Sequence, residues 1–506
     1  MKKILLSLAL LATVFSARAT DYTDQLFVAI NGVAAPAQTT TITVDDKGDG
    51  TYDFSLKNFS FSGVSVGDIT LNSVRGVDQD GVVYLAASEP VHVNLGGVMP
   101  LDLTVTLRGE LRDNKSRLYA SMDIPVTMLN QTVNVVFGRG YQLPNSGFED
   151  YQDYTVNIVD MTTYTPTTTT VKEPLYWHSF ASATGDYQTA AVAFANPFTW
   201  QSSVVRNGAA GSSSLMLTSS NVMGFQIANG TVTTGRMNCG SMTADDPANH
   251  AEMVVSDDSL DAHGDPYYVL LNGQPDSLTL WYAFKQGTPV AEHPYATVDA
   301  VITDGTYYQD PEDSATVYNN KSSRAQDKQI ATTFTEGTPV WKRLSVPFSV
   351  IDKNVDPKAI LVTISTNADA GQGSIDTLYV DDVNLVYNDP QNVKIDFGTA
   401  NGTVTPDNIT VTYDGALGAR VVKDLKQDGD DVVATVTVYN GDLTKEITKE
   451  SHVYKNTTTG ISGVSTTADK AIETYDISGR RVDDNARHGV FIIRTTGGKT
   501  VKVVRK

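Results

Sequence analysis

The sequence predicts an all-β chain. Apolar and polar residues alternate with period two in almost every window, and Asp-Gly and Asn-Gly turn signals recur between the alternating runs. Beyond the N-terminus, the helix formers Ala, Leu, Glu and Lys never gather into a run of helical period. The 506 residues are enough for about three or four domains. A net charge of −20 repels phosphate backbones and anionic lipid heads, and no basic patch offsets it, so no nucleic acid is expected as a partner. The single cysteine, Cys239, excludes an internal disulfide and a cysteine zinc cluster, and is expected to be a small buried apolar residue.

The first element is a leader. Lys2 and Lys3 precede an apolar run from Ile4 to Phe15, and Ala17-Arg18-Ala19 places small residues at −3 and −1 of a cleavage point. The run is too short to span ~30 Å of hydrocarbon, so residues 1–19 read as a signal peptide and not as an anchor. Its removal takes away Lys2, Lys3 and Arg18 and no acidic residue, which moves the net charge from −20 to −23. The mature chain is expected to start at Thr20, to be exported through the periplasm and to be secreted or held at the cell surface, with no transmembrane segment.

From residue 20 to 140 the chain reads as a meander of about seven or eight strands, among them Thr41 to Val44, Tyr52 to Leu56, Ile69 to Val74, Val82 to Leu85, Leu101 to Leu107, Leu118 to Ile124 and Val133 to Phe137. An antiparallel set with one apolar face removes its edges by closing into a barrel or packing as a sandwich. Asp45, Asp46 and Asp49 fall in a solvated hairpin turn, since no Glu closes a twelve-residue calcium loop. The segments GDGTYDFSLKNFSFSGVSVGDITLNSV, LRGELRDNKSRLYASMDIPV and VNVVFG resemble the bacterial calycin-like domain, which implies a lipocalin-type barrel but no particular ligand.

The next segment, 141–390, opens on Asn145-Ser146-Gly147-Phe148-Glu149-Asp150 and closes on Leu378-Tyr379-Val380-Asp381-Asp382-Val383-Asn384-Leu385. It contains all four tryptophans. These ends, with IANGTVTTGRM, QPDSLTLWYAFK and WKRLSVPFSV between them, resemble jelly-roll carbohydrate-binding modules and more specifically the carbohydrate metabolism domain. The resemblance implies a β-sandwich in which first and last strands are neighbours. It also implies a structural calcium held by Glu149, Asp381 and Asp382, hard oxygen donors of the kind Ca²⁺ accepts.

Residues 391–455 read as a small β-sandwich-like module, and 456–506 as a linker and a tail. Tyr475-Asp476, Ser478-Gly479-Arg480-Arg481, Gly489 to Ile493 and Gly498-Lys499 resemble a type IX secretion sorting domain, which implies the outer-membrane secretion machinery as a partner.

No H-E-x-x-H and no phosphate-binding loop occurs. Glycoside hydrolysis needs two carboxylates about 5–9.5 Å apart, and spacing alone cannot pick them among 58 acidic residues, Glu173 and Glu252 included. His178 and His250 are isolated along the chain. Sugar rings stack on exposed aromatics. Trp177 and Trp281 are assigned to the core; Trp200, in the polar loop-like stretch from Asn196 to Ser202, is the first candidate for ligand binding, followed by Trp341 and Tyr187. The expected function is an exported, non-catalytic glycan-binding or adhesin-like surface protein that captures polysaccharide or glycoconjugate. The alternatives are an extracellular glycoside hydrolase or lyase with an acidic site in the jelly roll, and a structural adhesin with a protein partner.

Overall fold

The computed structural model describes residues 18–505 apart from 36, 62–63, 161–162, 196–197, 210, 223, 400–402, 456–470, 477–479, 483–487 and 496–499. Most of the expected signal peptide, the linker from residue 456, and the Ser478-Gly479 and Gly498-Lys499 parts of the tail motif lie outside the described residues. Two compact units are present. The first comprises residues up to 395 with 411–422 and 437–449; the second comprises 396–410, 423–436 and 450–506. The stretch 391–455 therefore contributes to both units. Among the described residues no helix is long and apolar enough to cross a membrane.

The N-terminal meander closes into a barrel of eight strands: β1 (Arg18–Ile30), β2 (Gln38–Asp46), β3 (Thr51–Phe61), β4 (Val64–Gln79), β5 (Val82–Leu95), β6 (Met99–Arg112), β7 (Arg117–Val126) and β8 (Gln131–Phe137). Each strand pairs antiparallel with the next. β1 completes the ring by pairing with β2 over Arg18 to Leu26 and with β8 over Leu26 to Ile30. Closure leaves no free strand edge in the ring to pair with another chain. Alternation turns Leu26, Val28, Ile42, Val44, Phe54 and Leu85 inward, each nearly or fully buried.

Behind the barrel stands a β-sandwich. One sheet has the order Thr199–Ser202, Ser214–Thr218, Thr377–Val386, Ser277–Lys285, Lys342–Pro347. The facing sheet runs Thr231–Thr233, Ala359–Ser365, Ala296–Thr303, Lys321–Ile330, Ser349–Val350. Leu215, Leu217, Leu280, Phe284, Leu378 and Val380 of the first meet Val298, Ala300, Ile302, Ile360, Val362 and Ile364 of the second in one core, together with Trp177, whose indole N–H donates to the Pro144 carbonyl at 3.0 Å. Trp281 departs from its core assignment. It lies on the opposite face from Leu280 and Tyr282, half-buried, with the Arg206 guanidinium 4.9 Å from its ring centre. The closing strand Thr377–Val386 is central to its sheet, paired on one side with Ser214–Thr218 and on the other with Ser277–Lys285. The opening Gly147 to Glu149 forms no strand and meets it through the Val383 N–H on the Ser146 carbonyl at 2.9 Å.

Barrel and sandwich share this core. Tyr119 on β7 packs against Tyr141, the rings tilted by 36° with centres 3.8 Å apart, and Tyr387, Tyr439 and Leu443 pack beside them. Within this joint Glu110, on β6, has no solvent exposure. One carboxylate oxygen pairs with Arg112 at 2.5 Å and the other with Arg420 at 3.3 Å. Nearby, Arg108 donates to the Leu443 carbonyl at 2.9 Å.

In the second unit, Arg481–Val482, Ala471–Asp476, Gly489–Thr495 and Thr500–Arg505 form a four-stranded sheet in that order, with Phe491 and Ile493 buried.

Breaking a buried ion pair from one side leaves an uncompensated charge, at about 3–5 kcal/mol. Arg420→Met is therefore expected to destabilise the first unit by about 3 kcal/mol, the low end because Arg112 still holds Glu110. Adding Glu110→Gln should restore much of that loss. Urea unfolding of the two variants reads both values; equal stability of Arg420→Met and wild type would remove this pair from the account.

Candidate binding cleft

A strand buried on its inner face has only its outer face to offer a ligand. On Ala296–Thr303 the core takes Ala296, Val298, Ala300 and Ile302, so Thr297 and Asp299 face out. Thr363 and Ser365 stand opposite Asp299 and Thr297 on the neighbouring strand, with Thr231 beyond. These five residues floor a cavity of about 440 Å³ in the sandwich. Its walls come from the helical turns around Tyr187 to Phe194, from Gln226 to Asn229, and from Met237 to Ala251.

The floor carries a charged centre. Asp299 is 7% exposed, and the Arg324 Nε donates to both its oxygens at 2.8 and 3.1 Å. Gln326 donates to it as well. The same guanidinium reaches the Asp310 carboxylate at 3.2 Å. Burial, and then the charge of Asp299, push the Asp310 carboxyl above the ordinary carboxylate range, against the pull of Arg324 and Lys328. Around this centre are amides and aromatics: Asn229, Asn238 and Asn249, with Tyr187, Phe180 and Phe194. Cys239 is buried in the wall, and burial holds its thiol up at about 12.

The three expected ligand-binding residues are divided by the fold. Tyr187 lines the cleft, 42% exposed, anchored by its own N–H on the Cys239 carbonyl at 2.9 Å. Trp200 and Trp341 do not line it. Trp200 belongs to a strand and not a loop; its indole donates to Thr218 Oγ1 at 3.1 Å, and its ring packs beside Val156, Val171 and Phe198. Trp341 immediately precedes Lys342–Pro347, half-buried, with its ring 6.3 Å from that of Tyr379. Trp200 thus belongs to the other sheet, and Trp341 lies just before one of that sheet's strands.

The expected calcium ligands have most of their oxygens engaged elsewhere, and they do not form a group whose ligand atoms all lie within 4.8 Å of one another. Glu149 accepts the backbone N–H groups of Ser212 and Ser213 at 3.1 Å each. The loop comes so near that a Cβ on Gly211 would fall 1.8 Å from Glu149 Oε1. Asp382 is paired with Arg206. Asp381 is buried; its Oδ1 accepts the Asp382 N–H at 2.8 Å and its Oδ2 has no hydrogen-bond partner.

The barrel encloses a second cavity, of about 370 Å³. Among its lining residues, Val28, Leu56, Phe59, Leu103, Met122 and Val133 included, only Gln131 has a polar side chain. Such a lining accepts apolar molecules and leaves sugar hydroxyls unpaired.

Asp381 makes stability depend on pH. Burial, followed by the neighbouring Asp382, raises its carboxyl to about 7. The unfolded chain releases this proton near pH ~3.9. Between the two values the native state keeps a proton that the unfolded state has lost, so stability falls as pH rises through the window. Asp381→Asn removes the penalty: it is expected to raise Tm at pH 8 by roughly 2–4 °C, as for about 1 kcal/mol, and to change nothing at pH 4. A fall in Tm at pH 8 would show instead that the ionised carboxylate is held by a cation.

Residues 19–139 match the family model of the calycin-like beta-barrel domain. No curated protein matches the chain. Among solved structures it is similar to "Structure of PNGF-II in P21 space group", at 7% identity over 82% of this chain and 78% of that chain. The TM-score of 0.14 is too low to support an argument about fold or activity. The sequence match and the closed ring of strands agree: the N-terminal segment is a calycin-like β-barrel domain.

Proposed function

We propose that this is an exported, non-catalytic glycan-binding protein of the cell surface, and that the sandwich cleft is where it captures polysaccharide or glycoconjugate. The cleft itself carries this reading. It combines about 440 Å³, a floor of hydroxyls and one carboxylate–guanidinium pair, and aromatic rings on its wall. A sugar needs hydrogen-bond partners for its hydroxyls and a flat apolar surface for its C–H faces, and both are present. The barrel cavity offers only the second. The leader read at residues 1–19 and the tail from 456 suit a protein delivered across two membranes by the outer-membrane secretion machinery.

One observation favours a second reading, a glycoside hydrolase or lyase. Asp299 and Asp310 share the Arg324 guanidinium, and Asp310 has its carboxyl raised, as a general acid requires.

Screening the full mature chain against a panel of polysaccharides, for retention and for released reducing ends together, separates the two readings. Retention without turnover is expected. Tyr187→Ala should weaken retention at least tenfold, about 1.4 kcal/mol, with Tm nearly unchanged because the residue is part-exposed and its backbone bond to Cys239 remains. Asp310→Asn should leave retention within a few fold. Turnover by wild type that Asp310→Asn abolishes would establish the enzyme instead, and retention indifferent to Tyr187→Ala would move the site out of the cleft.

A further inference from the structure

His178 is isolated in the sequence but not in the fold. It follows the hairpin Tyr151–Asp160 and Thr165–Pro174 and bridges to the sandwich, its N–H on the Thr233 carbonyl at 2.7 Å and its carbonyl accepting the Thr233 N–H at 2.9 Å. Its ring is fully buried between two carboxylates that are also fully buried. Nδ1 stands 3.8 Å from Glu173 Oε1 and 3.9 Å from Asp261 Oδ2.

Each of the three side chains is held by its other atoms. His178 Nε2 faces the Pro266 carbonyl at 3.3 Å, which assigns the proton to Nε2 and leaves the Nδ1 lone pair inward. Glu173 Oε2 accepts from the Ser179 N–H at 2.7 Å and hydroxyl at 2.5 Å. Asp261 Oδ1 accepts the N–H groups of His263 at 2.8 Å and Asp265 at 2.9 Å. Gln152 and Tyr154 donate to Oδ2 from one side, at 2.7 and 2.8 Å. What remains is unsatisfied: Glu173 Oε1 and His178 Nδ1 have no hydrogen-bond partner. A buried polar atom left so is destabilising.

A proton on Nδ1 does not resolve this, because 3.8 and 3.9 Å exceed hydrogen-bond length. An ion does. Ligand atoms about 2.1 Å from one metal centre lie no more than about 4.2 Å apart, and both separations fit. We propose that Glu173 Oε1, His178 Nδ1 and Asp261 Oδ2 bind one divalent cation of the zinc class. The imidazole nitrogen selects that class over calcium, which takes oxygen ligands. The charge of the two carboxylates is balanced by a dication; Ser179 and the Pro266 carbonyl hold the other atoms of Glu173 and His178 as outer partners do in metal sites, and Asp261 Oδ2 takes the ion by giving up one of its two bonds, from Gln152 or Tyr154. The ion ties together the hairpin, the turn from Asp261 to Pro266 and the strand Thr231–Thr233. It is separate from the calcium expected at Glu149, Asp381 and Asp382.

The full mature chain, stripped with a chelator and dialysed against zinc, is expected to hold one zinc per chain by elemental analysis and to melt higher than the stripped protein. Glu173→Gln keeps the shape and is expected to weaken zinc binding at least tenfold, whereas Asp381→Asn and Asp382→Asn leave it unchanged. If Glu173→Gln does not fold, the wild-type stoichiometry and melting shift decide alone. No bound zinc and no melting shift would overturn the proposal; so would zinc binding that Glu173→Gln leaves intact or that Asp381→Asn removes.

Discussion

One strand, Ala296–Thr303, has to serve two environments, and the sandwich is arranged around how it does so. Its even-numbered residues are fully buried against the facing sheet, and its odd-numbered Thr297 and Asp299 meet the cleft. An aspartate one residue from that core is tolerable because Arg324 and Gln326 come from the next strand to hold it. Removing either side of this division would lose the core or the floor of the cleft. The polar character of the cleft is therefore a property of strand register and not of a loop that could be rebuilt freely.

The same logic recurs at the joint. Glu110 is buried on the outer wall of the barrel and is held by Arg112 from its own strand and by Arg420 from far along the chain. The aromatic cluster of Tyr119, Tyr141 and Tyr387 fills the space around it. Two cavities of opposite chemistry thus occur in one compact unit: an apolar one inside the barrel and a polar, aromatic-walled one on the sandwich. Their contrast is why the proposed glycan site is the second.

The fold was largely legible in the sequence, because alternation of period two survives wherever one face of a strand is buried. The β2–β3 hairpin and the strands around Leu71, Leu85 and Leu107 are examples. Barrel closure was expected from the resemblance to the calycin-like domain and not from alternation, since Leu26 to Ile30 carry no mark that distinguishes pairing with β8 from ending at an edge. Of the aromatics, Tyr187 carries no local mark that sets it in the cleft wall, and Trp200, expected in a loop, lies in a strand only four residues long. The charged centre of the cleft had a signal that local reading passed over: Asp299 interrupts Thr297 to Val301, and Arg324 alternates with Ser323 and Ala325. Glu173, His178 and Asp261 had none, because what unites them is three-dimensional and their spacing along the chain fits no ligand motif.

Hydrogen exchange of the full chain, with and without a polysaccharide it retains, bears most directly on the assignment of the cleft. Bound glycan is predicted to slow exchange in 187–194, 296–303, 321–330 and 359–365 and to leave the barrel strands unchanged. Protection confined to the barrel, or to the strands carrying Trp200 and Trp341, would contradict it.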